Sequence, residues 1–87
     1  MTLGRRRLLR RLSQGALHNV RFVDLRDLVE GFGFDQVRVN GSHHIFRHPV
    51  IPELINLQEV RGEAKPYQIR QFLRLVERYN LHLEGTA

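Results

Sequence analysis

The chain has 87 residues, room for one hydrophobic core and not for a multi-substrate enzyme with a deep cofactor cleft. It has no cysteine, which excludes a disulfide framework, a thiol nucleophile and a Cys-type zinc site, and no run reaches the roughly 18 to 20 apolar residues of a membrane span. Of the formal charge of +5, all the excess lies in the first 20 residues, where Arg5, Arg6, Arg7, Arg10 and Arg11 stand without an acid; the remainder is neutral, so only local patches attract phosphate.

In chain order, Leu3, Leu8, Leu9 and Leu12 lie among those arginines and predict a short amphipathic helix from about Arg5 to Gln14, stopped by Gly15. Two fates are open to it: docking on the body or on a partner, or a frayed, solvated arm. No apolar stretch of signal-peptide length follows Arg11, so the expected location is the cytoplasm. From about Val23 to Gly31, the residues Phe22, Leu25, Leu28, Val29 and Phe32 line one face at helical period, with Asp24 and Asp27 near the positive end of the helix dipole. Gly31 and Gly33 supply the stop.

Beyond Gly33 the period changes to two. Phe34, Val37 and Val39 alternate with Gln36, Arg38 and Asn40 as a half-buried strand, and Asn40-Gly41 marks a hairpin turn. The returning strand runs from His43 to Arg47 and ends at His48-Pro49. Leu54, Ile55, Leu57 and Val60 form a third strand reached through Pro49 to Pro52. A last helix opens at Lys65-Pro66 and buries Ile69, Phe72, Leu73 and Val76, with Arg70, Arg74 and Arg78 on another face. The expected fold class is α+β: a three-stranded antiparallel sheet with two helices on one face (α-β-β-β-α), plus an N-terminal helical extension. Residues 1–19 form the extension, 20–82 the domain and 83–87 a tail.

Chemistry concentrates at His43, His44 and His48. A strand points alternate side chains to opposite faces, so His43 and His44 cannot both face the helices. Histidine titrates near neutrality and suits proton transfer, although a single strand histidine is more often a surface or satisfied polar residue. The trio has no HExxH pattern and no carboxylate at zincin-like spacing, so neither metal nor cofactor is expected. Ser42 lacks the GxSxG elbow of a hydrolase nucleophile. Phe46 and Tyr67 are candidates for base stacking or for packing.

The segment Gly41-Ser42-His43-His44-Ile45-Phe46-Arg47-His48-Pro49 resembles the strand motif of the HicA toxins of bacterial toxin-antitoxin pairs. The helix ending in Gly31-Phe32-Gly33-Phe34, the strand Val37 to Asn40 and the helix Ile69 to Leu81 stand in the family's order. The resemblance implies a double-stranded-RNA-binding-like fold, mRNA cleavage centred on a strand histidine, and neutralisation by a HicB antitoxin. The family's essential histidine maps to His43, or to His44 in members that carry it one place later. The third strand lacks the second histidine found in many members, and the arginine-rich extension lies outside the usual family core.

On that resemblance the expected activity is a metal-independent endoribonuclease in which His43 or His44 takes the proton of a ribose 2′-OH. Arg38, Ser42 and Arg47 contact RNA beside it, and Lys65 and Arg70 hold the backbone. Two other readings use the same residues: a non-catalytic RNA-binding module, and a domain that only holds a partner chain.

Overall fold

The computed structural model describes residues 3–83; residues 84–87 of the expected tail lie outside the described part. The element order is α1 (Arg5–Ser13), α2 (Phe22–Gly31), β1 (Asp35–Asn40), β2 (His43–His48), β3 (Ile51–Val60), β4 (Glu63–Ala64) and α3 (Pro66–Arg78). The strands form one antiparallel sheet in the order β1-β2-β3-β4. The class is the expected α+β, with one strand more than the three predicted.

Each helix docks through apolar residues at helical spacing. In α1, Leu8 and Leu12 lie one turn apart and are buried against the same core as Leu25, Leu28 and Val29 of α2. Arg5 Nη2 donates to Asp27 Oδ1 at 2.9 Å, and the Leu3 N–H donates to Asp24 Oδ1 at 3.1 Å, so the start of α1 is tied to α2. Asp27 beside it raises the Arg5 guanidinium pKa. In α3, Pro66 occupies the first turn, where its missing N–H costs no helical bond, and Ile69 and Phe72 are buried. The buried Gln68 accepts the Gln58 N–H at 2.7 Å and clamps α3 to β3. At its other end Tyr79 donates to Glu53 at 2.6 Å and Arg78 donates to the same carboxylate at 3.1 Å.

Phe22, Phe34, Phe46 and Phe72 are nearly inaccessible and join the three helices to the sheet. Phe72 meets Phe32 and Phe34 edge-on, at centroid separations of 5.6 and 6.0 Å. Full burial of each such ring stabilises by about 1.5–3 kcal/mol, which is why a chain of this size holds without cross-links.

Three local expectations need correction. Val37 and Val39 do not line a buried face: they are 47% and 50% exposed, and all of β1 is solvent-facing. β1 is an edge strand, α3 and α2 pack on β3 and β4 at the other side of the sheet, and an extra residue at Val37 breaks the register. Phe34, just before the strand, provides its apolar anchor instead. The third strand begins at Ile51, before the predicted Leu54, and accommodates Pro52 where the β2–β3 register shifts. The first hairpin turn is centred on Gly41-Ser42, since Asn40 pairs with His43. Gly41 takes φ +62° at the first central position, the requirement of a type II′ turn, and glycine meets it without a Cβ clash.

Candidate active site on the sheet

The alternation of β2 assigns its side chains. Phe46 faces the helices and is fully buried, so His44 and His48 share its face, while His43, Ile45 and Arg47 point the other way.

His48 is a structural residue. Its Nε2 lies 3.1 Å from the Phe32 carbonyl and donates to it, its Nδ1 accepts the Val50 N–H at 3.2 Å, and its ring meets Phe34 edge-on at 4.9 Å. It holds the α2–β1 connection to the end of β2.

His44 is wedged under the first turn of α2. Its ring centroid is 4.5 Å from that of Phe22, its Nδ1 is 3.0 Å from Gln36 Oε1, and its Nε2 is 3.8 Å from Glu59 Oε1. Only 12% of the side chain reaches solvent. Nδ1 is thus hydrogen-bonded to Gln36, Nε2 lies beyond hydrogen-bond distance of Glu59, and the Phe22 ring limits the access of a polymeric substrate.

His43, also half-buried, differs in its face and in its partners. It stands on the open face next to the turn, with Nδ1 3.2 Å from Asn56 Oδ1. An amide oxygen only accepts, so Nδ1 carries the proton in this contact and Nε2 presents its lone pair. That tautomer suits a general base; Gln36 Oε1 imposes the same one on His44, so the two rings differ in the face they point to and not in tautomer. Around it, Arg38 faces the same way as its partner Ile45, and Arg47 follows two residues after Ile45; both arginines are exposed. Ser42 Oγ lies in the turn and accepts from Gln58 Nε2 at 3.5 Å. His43, Arg38, Arg47 and Ser42 thus share the open face and its turn.

Lys65 and Arg70 are not brought to that face. Lys65 stands at the N-cap position of α3 without a side-chain capping bond, its Nζ 5.9 Å from the Tyr67 ring centroid, and Arg70 is an exposed residue of α3. Lys65 does follow Ala64, the partner of Glu59, which puts it near the sheet end that carries His43 and His44. Phe46 is core, whereas Tyr67 is 55% exposed. Among the described residues no group of three or more His, Cys, Asp or Glu side chains is arranged to hold a metal ion, and no helix is long and apolar enough to cross a membrane.

Sequence reading missed Asn56, Gln36 and Glu59, the partners of the two histidines. Counting back from the Pro49-Val50 connection would set His43 opposite Asn56; the register shift between Phe46 and His48 moves its partner to Gln58 and leaves Asn56 on the diagonal. Parity alone would have marked both as residues of the open face.

A model of the family described as HicA toxin of bacterial toxin-antitoxin matches residues 23–77, from α2 through nearly all of α3. No match was found among curated proteins or among solved structures.

Proposed function

The chain belongs to the HicA toxin family, and from that premise we propose that it is a metal-independent endoribonuclease that cleaves mRNA in the cytoplasm and is neutralised by a HicB-like antitoxin. In this reading residues 20–82 form the cleaving unit and residues 1–19 the extension. The observation that carries it is the contrast between the two histidines: His44 packs on the Phe22 ring on the helical side with Nε2 near Glu59, while His43 points to the face away from the helices with Nδ1 anchored on Asn56.

The reaction follows from that orientation. Nε2 of His43 takes the proton of a ribose 2′-OH as its oxygen attacks the adjacent phosphorus. Arg38 and Arg47, on the same face, stabilise the charge that grows on the non-bridging oxygens. The bond to the 5′-oxygen breaks, that oxygen takes up a proton from the imidazolium or from water, and the products carry a 2′,3′-cyclic phosphate and a 5′-OH. Ser42 contacts the strand at the turn, and Lys65 and Arg70 would hold RNA that has passed over the β4 edge. An antitoxin that neutralises this activity has to cover the face of His43.

The test is incubation of pure protein with single-stranded RNA and a chelator, with fragment ends analysed for cyclic phosphate. H43A should slow cleavage by about 10²- to 10⁴-fold, the usual worth of one general base, and leave the fold intact. Undiminished cleavage by H43A refutes the assignment, and loss in H44A alone transfers it to the His44–Glu59 pair. Salt-sensitive binding without cleavage by the unmodified chain would establish the non-catalytic RNA-binding reading instead.

A further inference from the structure

Outside the family-matched segment, α1 and the loop after it enclose a cleft of about 520 Å³ against the first turn of α2. Arg7, Arg11, His18 and Arg21 line it. Arg7 and Arg11 are one helical turn apart, so their side chains stand side by side on one face. The acid in the lining is Asp24, whose Oδ1 is engaged by the Leu3 N–H. The volume is that of an ordinary ligand site. The cations are guanidinium groups, whose planar donor forks match phosphate oxygens in pairs.

The geometry points to an RNA-binding exosite: the cleft takes the phosphodiester backbone of the strand whose scissile bond lies over His43. This rests on the proposed ribonuclease activity and adds a second contact region to it. Two observations favour RNA as the occupant. Arg7, Arg11 and His18 face one cleft within residues 1–23, which contain no acid, and this charge balance favours a polyanion. The cleft also lies at the correct end of the sheet: the backbone of Arg21 pairs with that of Glu63 of β4, and the next residue, Phe22, sets its ring tilted against His44, the strand neighbour of His43. A strand leaving the turn at Gly41-Ser42 past the sheet end would meet Arg21 and then the Arg7–Arg11 face.

The experiment is the salt dependence of binding for an RNA with 2′-O-methyl groups, which cannot be cleaved, followed by fluorescence anisotropy. The proteins compared are the unmodified chain, R7A, R11A, R7A/R11A and R10A, the last on the same helix but outside the cleft. Each phosphate contact on a single strand contributes about 0.7 to the slope of log K against log salt, so the double variant should lose about 1.4 of slope. Its affinity should fall at least tenfold at low salt, and R10A should stay within twofold of the unmodified chain. Circular dichroism melting checks that all variants fold. If R7A/R11A binds RNA as the unmodified chain does, the exosite is refuted while cleavage by His43 stands. If R7A/R11A keeps RNA affinity but loses antitoxin affinity, an acidic protein is the occupant and the proposal is equally overturned. Conversely, cleavage that survives H43A together with a slope lost in R7A/R11A would sink the assigned base and leave the exosite in place.

Discussion

Replacing Leu12 with alanine deletes a side chain that is 2% exposed, and with it much of the contact by which α1 joins the core. Buried Leu→Ala changes cost about 2–5 kcal/mol, the spread reflecting how far neighbours collapse into the space. A helix that packs chiefly on one neighbour, as α1 does on α2, can shift inward more readily than one enclosed on all sides, which argues for the lower half of the range, about 3 kcal/mol. For 87 residues the whole stability is about 4–13 kcal/mol at 0.05–0.15 kcal/mol per residue, so the loss is a large share of it. Each kcal/mol moves the midpoint of a domain this size by about 4–8 °C, giving an expected fall of about 12–24 °C by circular dichroism. R10A, exposed on the same helix, is the control and should remain within about 0.5 kcal/mol. A drop of less than about 3 °C in L12A would mean that α1 contributes nothing to the folded unit, and the docked helix described above would be wrong.

Removing the anchor of His43 in N56A forfeits one exposed hydrogen bond of about 1 kcal/mol, which should lower kcat/KM about fivefold in the RNA cleavage assay without moving the melting temperature. A melting temperature that falls with the rate would indicate a structural role alone. F22A should destabilise by about 3–5 kcal/mol in urea titration, because it empties a buried site and removes the surface on which His44 rests; F22L should restore most of the loss. The Tyr79 hydroxyl, with Arg78, holds the Glu53 carboxyl below its ordinary pKa, and that bond raises the Tyr79 pKa. A depressed acid stabilises above its unfolded pKa and loses that contribution as pH falls through the folded one. Melting temperatures of the unmodified chain should therefore drop more steeply than those of Y79F on acidification below about pH 4.3. Parallel curves would show that the Tyr79–Glu53 contact carries no linked stability.

The helices were legible because their signals are local. Pro66 at a helix start, with Ile69 and Phe72 one face apart, needs no tertiary information, nor does the Phe22–Leu25–Leu28–Val29 stripe. The strands were read less well, since burial along a strand depends on its neighbours. Val37 and Val39 alternate as a buried strand would, but nothing in their spacing reveals that β1 is an edge strand beyond the reach of the helices. β4, at two residues, is too short to carry a period; its trace was Gly62, which with Arg61 forms a turn of two positive φ angles, 53° and 79°, the signature of a tight hairpin. For the site, the opposition of His43 and His44 was certain from strand geometry alone. Which of them faces away from the helices was not, because that depends on Phe46 entering the core and Phe22 arriving over His44 from a distant part of the chain.

The two-residue turn Gly41-Ser42 sets the phase of everything after it. Inserting one residue while β1 and the pairing positions keep their places would slide the following side chains by one step, so that His43 takes the seat against Phe22 and His44 emerges on the open face. The same slip would expel Phe46 from the core, and the two exchanges cannot be separated. A homologue with its histidine one place later can thus keep an exposed imidazole only by lengthening the loop and moving the apolar anchor with it. Loop length and the position of that phenylalanine, read together, give a sorting rule for deciding which histidine of such a pair is the accessible one.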